Sequence, residues 1–117
     1  MSKPILSVRL PSVTVTTLAR SAADARMSLP GALEWLLRNS VENSDLLRGL
    51  EDCPERPNAK LDARITGATL DSLRVATAQL RISTSVYIRK LLYHFYVTKR
   101  LKYVRSNGRY TLAGRHD

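Results

Sequence analysis

The sequence predicts a mainly α fold with one two-stranded antiparallel ribbon, assembled from two strand–helix–helix copies in a single chain. Three observations lead there. LSVRLP (6–11) and LDARIT (61–66) each alternate apolar and polar residues, the period of a strand buried on one face. Each is followed by two stretches whose apolar residues recur at helical spacing. The chain also aligns with itself, without a gap, at an offset of 55: residues 8–37 lie over 63–92 with eight of thirty positions identical.

The identities are Arg9/Arg64, Thr14/Thr69, Leu18/Leu73, Ala23/Ala78, Arg26/Arg81, Ser28/Ser83, Leu36/Leu91 and Leu37/Leu92. Aliphatic exchanges such as Leu10/Ile65, Val15/Leu70, Met27/Ile82 and Leu33/Ile88 add to them. They fall on apolar positions and turn residues, where a shared fold constrains the chain.

A lone short strand cannot satisfy its own backbone hydrogen bonds. The first strand, with Leu6, Val8 and Leu10 on one face, is therefore expected to pair with the second, with Leu61, Ala63 and Ile65. The first helix is expected over about Val13–Ala25, burying Val15, Leu18, Ala19 and Ala22. Its copy is expected over about Ala68–Leu80, burying Leu70, Leu73 and Ala76, with Ala78 at the edge of that stripe. Ser28 and Ser83 stand at N-cap positions. The second helices follow, with stripes Leu29, Leu33, Leu36, Leu37 and Ile88, Leu91, Leu92, Phe95. The last helix is expected to continue to about Tyr103.

The organisation expected is one domain over 1–117: a first copy at 4–40, an acidic linker at 41–59, a second copy at 60–104, and a basic tail or small hairpin at 105–117. The linker holds two prolines and a glycine, with a helical turn expected around Leu46–Leu50. Asn107-Gly108, flanked by YVR and RYTL, is the hairpin signal in the tail. Trp35 falls off its helix's leucine stripe and is expected at the core edge or against another molecule. Tyr87, Tyr93, Phe95 and Tyr96 are expected in the core or an interface.

The formal charge is +9 and uneven. Residues 1–40 carry five basic and two acidic side chains; 41–59 carry two basic and five acidic; 60–117 carry twelve basic and three acidic. So small and basic a chain points to a polyanion, nucleic acid before a membrane surface, with the acidic linker held away from it. No helix pairs a basic face with a broad apolar one, and no apolar stretch is long enough to span a bilayer or serve as a secretory signal. A cytoplasmic protein, associated with nucleoid or plasmid, is expected; the single cysteine, Cys53, fits a reducing compartment. No metal-ligand spacing, phosphate-binding glycine loop or nucleophile motif is present, and His94 and His116 stand in unrelated settings. No enzyme, metal or cofactor is expected.

KLDARIT, a helix, then RISTSVYIRKLL resembles the ribbon-helix-helix family of DNA-binding proteins, to which the Arc and MetJ repressors belong; the first copy is a weaker match. Together the copies span residues 4–97. Most members are homodimers in which each chain gives one strand. The fused layout is similar to that of TraY-type conjugation accessory proteins. It implies an intramolecular pseudo-dimer whose two strands meet at high effective concentration and are free to differ.

The resemblance implies a ribbon laid in the DNA major groove. Its outward residues are then Ile5, Ser7, Arg9, Lys60, Asp62 and Arg64. Arg9 and Arg64 suit guanine edges, as Lys60 does less selectively; Ile5 suits a thymine methyl. Asp62 either accepts from a cytosine or orients Ser7 or a basic neighbour. The resemblance also implies phosphate clamps at the second-helix N-termini, at Ser28 and Leu29 and at Ser83, Thr84 and Ser85. The first should be weaker, because Pro30 has no N–H. Where the family often has glycine in the turn between helices, this chain has Arg26 and Arg81, which either accept a left-handed backbone or mark a different turn, and which can reach phosphate. Lys3, Lys102, Arg105 and Arg109 complete the expected phosphate contacts.

The expected partners are double-stranded DNA, further copies of the chain side by side on it, and a relaxase or other conjugation protein. The expected role is a relaxosome accessory at a transfer origin or a transcriptional regulator, with an antitoxin that represses its own toxin–antitoxin pair as the alternative. RNA is disfavoured, since an A-form major groove does not admit a ribbon.

Overall fold

The computed structural model describes residues 3–115. The order is strand β1 (Ile5–Leu10), helix α1 (Ser12–Asp24), helix α2 (Leu29–Arg38), a 3-10 segment (Val41–Leu47), strand β2 (Ala59–Arg64), helix α3 (Gly67–Leu80), helix α4 (Thr84–Leu92), a π-helical turn (Tyr93–Val97), and strands β3 (Leu101–Ser106) and β4 (Arg109–Gly114). It is a mixed α/β protein, mostly helical, with two small antiparallel sheets among the described residues, β1–β2 and β3–β4.

β1 and β2 pair in the register Ile5↔Arg64, Ser7↔Asp62 and Arg9↔Lys60 on the outer face, with Leu6↔Ala63, Val8↔Leu61 and Leu10↔Ala59 between them. The strand period of two turns Leu6, Val8, Leu10 and Ala63 into the core and leaves the outer six exposed. The core beneath is built from Leu18 and Ala22 of α1, Leu33, Leu36 and Leu37 of α2, Leu70 and Leu73 of α3, and Tyr87, Ile88, Leu91 and Leu92 of α4. Two expected core positions lie outside it. Ala19 and Ala78 are exposed, while Thr14, Thr69 and Thr77 take buried places, because the helices turn the face that carries Leu18 and Leu73 inward.

α1 and α3 start differently. Thr66 caps α3, its hydroxyl accepting from the Thr69 N–H. Its counterpart Pro11 has no such group, and α1 is served instead by the linker: Asn58 Oδ1 accepts from the Ser12 N–H at 3.0 Å. α1 and α3 end alike. The Met27 N–H donates to the Ala22 carbonyl and the Ile82 N–H to that of Thr77, closing both turns around Arg26 (φ 56°) and Arg81 (φ 57°). The left-handed backbone at a non-glycine residue is accepted twice.

Three expected boundaries move, the third in the hairpin. The helical turn in the linker comes earlier than Leu46–Leu50, over Val41–Leu47. Ser40 fixes its start, bonding the Leu37 carbonyl and the Tyr87 hydroxyl, and Gly49 (φ 82°) stops it. The last helix does not reach Tyr103. α4 gives way at Tyr93 to the π turn, and Lys99 (φ 58°) turns the chain into β3. The cause is His94, fully buried, with Nε2 2.8 Å from the Glu51 carbonyl oxygen and Nδ1 2.9 Å from Thr98 Oγ1. His116 lies outside the described residues.

The hairpin is longer than expected, starting at Leu101 rather than after 104, and turns through Asn107 (φ 54°) and Gly108 (φ 75°). Two successive positive φ angles match the right-handed twist of the strands. Leu101 and Leu112 enter the core, and Tyr103 donates to the Leu36 carbonyl at 2.7 Å. Trp35 packs on the Tyr103 and Tyr110 rings, at 5.0 and 5.2 Å. The hairpin therefore covers the far end of α2.

Candidate nucleic-acid interface

The outer ribbon face carries three cations and one acid. At its centre Ser7 donates to Asp62 Oδ1 at 2.5 Å, so of the two roles open to Asp62 the free chain uses the one that orients Ser7. Arg9 and Lys60 face each other across the ladder and form no ion pair among the described residues. Like charges directly opposed destabilise a sheet, so this pair costs the free protein stability and suits an anion laid over it. Arg64 is held at one end of the face, donating from Nη1 to the Lys3 carbonyl at 3.1 Å. Ile5, opposite it, is 56% exposed.

The helix N-termini have the expected asymmetry in donors. Ser83 Oγ accepts from the Val86 N–H at 3.1 Å, which leaves the N–H groups of Thr84 and Ser85 without an intrahelical acceptor. Ser28 Oγ accepts from Gly31 at the same 3.1 Å, but Pro30 removes one donor, leaving Leu29 alone in that turn. Arg26 and Arg81, one turn before these N-termini, are exposed.

The tail residues divide. Arg109 is paired with Glu42, and Arg105 lies over the Tyr110 ring at 5.9 Å, so both have uses within the fold. Lys102, half-buried in β3, stands opposite Ala113, and Lys3 is exposed before β1. Two linker acids beside α4 and the hairpin are likewise engaged. Asp52 holds Arg89 at 2.9 Å and Glu51 holds Arg100 at 3.0 Å. The hydrogen bond that Glu51's own backbone gives its side chain, together with the Arg100 charge, holds the Glu51 carboxyl below the usual range, although desolvation opposes them. Cys53 is a free, half-buried thiol.

The residue that sequence reasoning missed is Glu34. It lies in α2 among leucines and is 9% exposed. Its carboxylate accepts from the Thr66 N–H at 3.0 Å, the Thr66 hydroxyl at 2.6 Å and the Thr69 hydroxyl at 3.1 Å. It thereby ties α2 to the junction of β2 and α3, just behind Arg64. The signal available was an acid on an otherwise apolar stripe, which calls for buried donors. The second copy has no counterpart to this link, because the position equivalent to Glu34 is Arg89.

Among the described residues no three His, Cys, Asp or Glu side chains converge as metal ligands, and no helix is long and apolar enough to cross a membrane. No protein-family model, no curated protein and no solved structure matches this chain.

Proposed function

We propose that the chain is a sequence-specific double-stranded DNA-binding protein of ribbon-helix-helix type, a pseudo-dimer in one chain that lays β1–β2 in the major groove. The observation that carries this is the exposed ribbon face, where Arg9, Lys60 and Arg64 stand around the Ser7–Asp62 pair and Arg9 and Lys60 form no ion pair among the described residues. The repeat supports it. The offset of 55 takes Ser7 to its own ladder partner Asp62, and exchanges the Ile5↔Arg64 pair with Arg9↔Lys60. The left-handed turns at Arg26 and Arg81 and the serine caps at 28 and 83 obey the same offset.

The role we favour is a relaxosome accessory protein at a conjugative transfer origin or a transcriptional regulator. Selection of bound fragments from genomic and plasmid DNA of the source organism, at about 150 mM salt, distinguishes these. A discrete site beside a nick site gives the first, a site over a promoter the second, and no discrete site defeats sequence-specific binding.

One ribbon spans few base pairs, so tight binding requires neighbouring copies on DNA, whereas the free ribbon is already complete. Sedimentation at micromolar concentration is expected to give a monomer that assembles only when site DNA is added; a constitutive dimer counts against the fused ribbon. Arg81→Gly separates the turn from a phosphate contact. Relief of the left-handed backbone is offset by glycine's greater freedom when unfolded, so stability should move by less than about 1 kcal/mol. Affinity should fall for all sequences, with a salt slope lower by about 1 if the guanidinium touches a phosphate.

A further inference from the structure

The two halves treat the groove between their helices differently. In the second half it is filled from within and covered from outside. Tyr87 is fully buried there and Leu80 is buried beside α4. The 3-10 segment lies across α3 and α4, with Leu47 fully buried, and Arg48 reaches the Gln79 carbonyl near the end of α3. In the first half the equivalent positions are Ala32 for Tyr87 and Ala25 for Leu80. A cavity of about 230 Å³ opens there, lined by Ser21, Ala25, Met27, Ala32, Trp35 and Leu36 and flanked by Phe95 and Tyr96.

Both covers begin in the same way. Phe95 and Tyr96, which leave α4 and reach the α1 side, are the equivalents of Ser40 and Val41, which leave α2 and reach the α3 side. On α3 the cover continues through Ser44–Arg48. On α1 it stops, because Lys99 turns the chain away into β3. An apolar groove on a basic protein is left open where the other half fills the counterpart with Tyr87, Leu80 and Leu47 of its own chain.

We propose that this groove docks a short acidic helical segment of a partner protein, presenting two adjacent aliphatic side chains, in the position that residues 43–48 take on the other half. The inference rests on the repeat described under Proposed function. The occupant's chemistry follows from the cover that the molecule itself displays. Residues 43–48 pack Leu46 and Leu47 against the core and carry one acid, Asp45, which pairs with Arg48 of the same segment. An acidic occupant fits the charge at the groove's edge: Arg20 and Arg26, next in sequence to lining residues, form no ion pair among the described residues, and Asp24 is the one acid on α1. A second copy of the chain cannot supply the segment without unfolding, because its own Leu47 is fully buried. Docking of an amphipathic helix into such a groove is a common recognition mode.

The test is an NMR titration of the full-length protein with the peptide SVENSDLLRGL (residues 40–50), following the Met27 methyl, the Trp35 indole and Tyr96. Saturable shifts at these three are expected. They should weaken by roughly tenfold or more when both peptide leucines are replaced by serine, and vanish in Ala32→Tyr, which restores the ring of the other half. Ala25→Leu is the second filled variant should Ala32→Tyr fail to fold. Absence of saturable shifts overturns the proposal. So do shifts that survive the filled variants or the serine peptide, which would report charge attraction alone. Phenol saturating the groove where the peptide does not would make it a small-molecule site and also overturn it. No DNA is present, so these outcomes are independent of whether the ribbon selects a sequence.

Discussion

The Arg9→Ala/Arg64→Ala double variant is expected to lose selective DNA binding while keeping its fold. Both side chains are exposed and lie on the face of the ribbon turned away from the core. Melting should therefore change little, and losing Arg9 relieves the like-charge pair with Lys60. On DNA the change is large. A bidentate arginine–guanine contact gives roughly 1–3 kcal/mol of discrimination. Removing two such arginines corresponds to a fall of between roughly thirty-fold and twenty-thousand-fold in affinity for the selected site. Affinity for unrelated DNA should drop far less. Equilibrium titration of site and scrambled duplexes at fixed salt measures both. An equal loss on the two duplexes would assign the arginines to phosphates, and no loss on either would take the ribbon out of the interface.

Glu34→Ala is expected to be the most damaging single change at a polar residue. It strands the Thr66 N–H and the Thr69 hydroxyl and leaves the Thr66 hydroxyl with Thr69 Oγ1 as its acceptor in place of the carboxylate. Buried donors left without partners cost roughly 1–3 kcal/mol each and are not additive, so a loss of about 2–4 kcal/mol is expected by denaturant unfolding. The acid limb carries a second signature. Burial on its own would raise the Glu34 pKa. The side-chain and backbone hydrogen bonds from Thr66, that from Thr69 and the charge of Lys3 outweigh it and hold the carboxyl below its ordinary 4.5. A depressed folded pKa means the contribution is full above pH 4.5 and is lost as pH falls through the folded value. The stability gap between wild type and variant should thus narrow below pH 4.5 and not on the alkaline side. A gap independent of pH would mean that the lost packing, not the carboxylate, sets the cost.

This site also shows why part of the molecule was illegible in the sequence. Periodicity gives which face of an element is apolar, and it located both ribbon strands and four helices, while the Asn107-Gly108 pair located the hairpin turn. It cannot give partners across the fold. Glu34 meets Thr66 and Thr69 only because α2 packs beside the start of α3. Asn58 caps α1 from 46 residues away in the chain. His94 ends α4 in a π turn because Glu51, in the middle of the linker, presents a carbonyl to it. In each case the local pattern is silent and a contact distant in sequence decides the conformation.

The sequence by itself determined that two strand–helix–helix units occur in one chain, since alternation and a constant offset of 55 are local and arithmetical properties. It also determined which six side chains the ribbon exposes, because the strand period of two leaves no other choice once Leu6, Val8 and Leu10 are buried. The tertiary structure alone decided how the halves came to differ. It folded the acidic linker onto α3 and the basic hairpin onto the end of α2, paired Glu42 with Arg109 and Asp52 with Arg89, and left the first groove open where alanines replace Tyr87 and Leu80. The physical reason is that burial and charge pairing depend on which surfaces meet, and in this chain those surfaces come from segments dozens of residues apart.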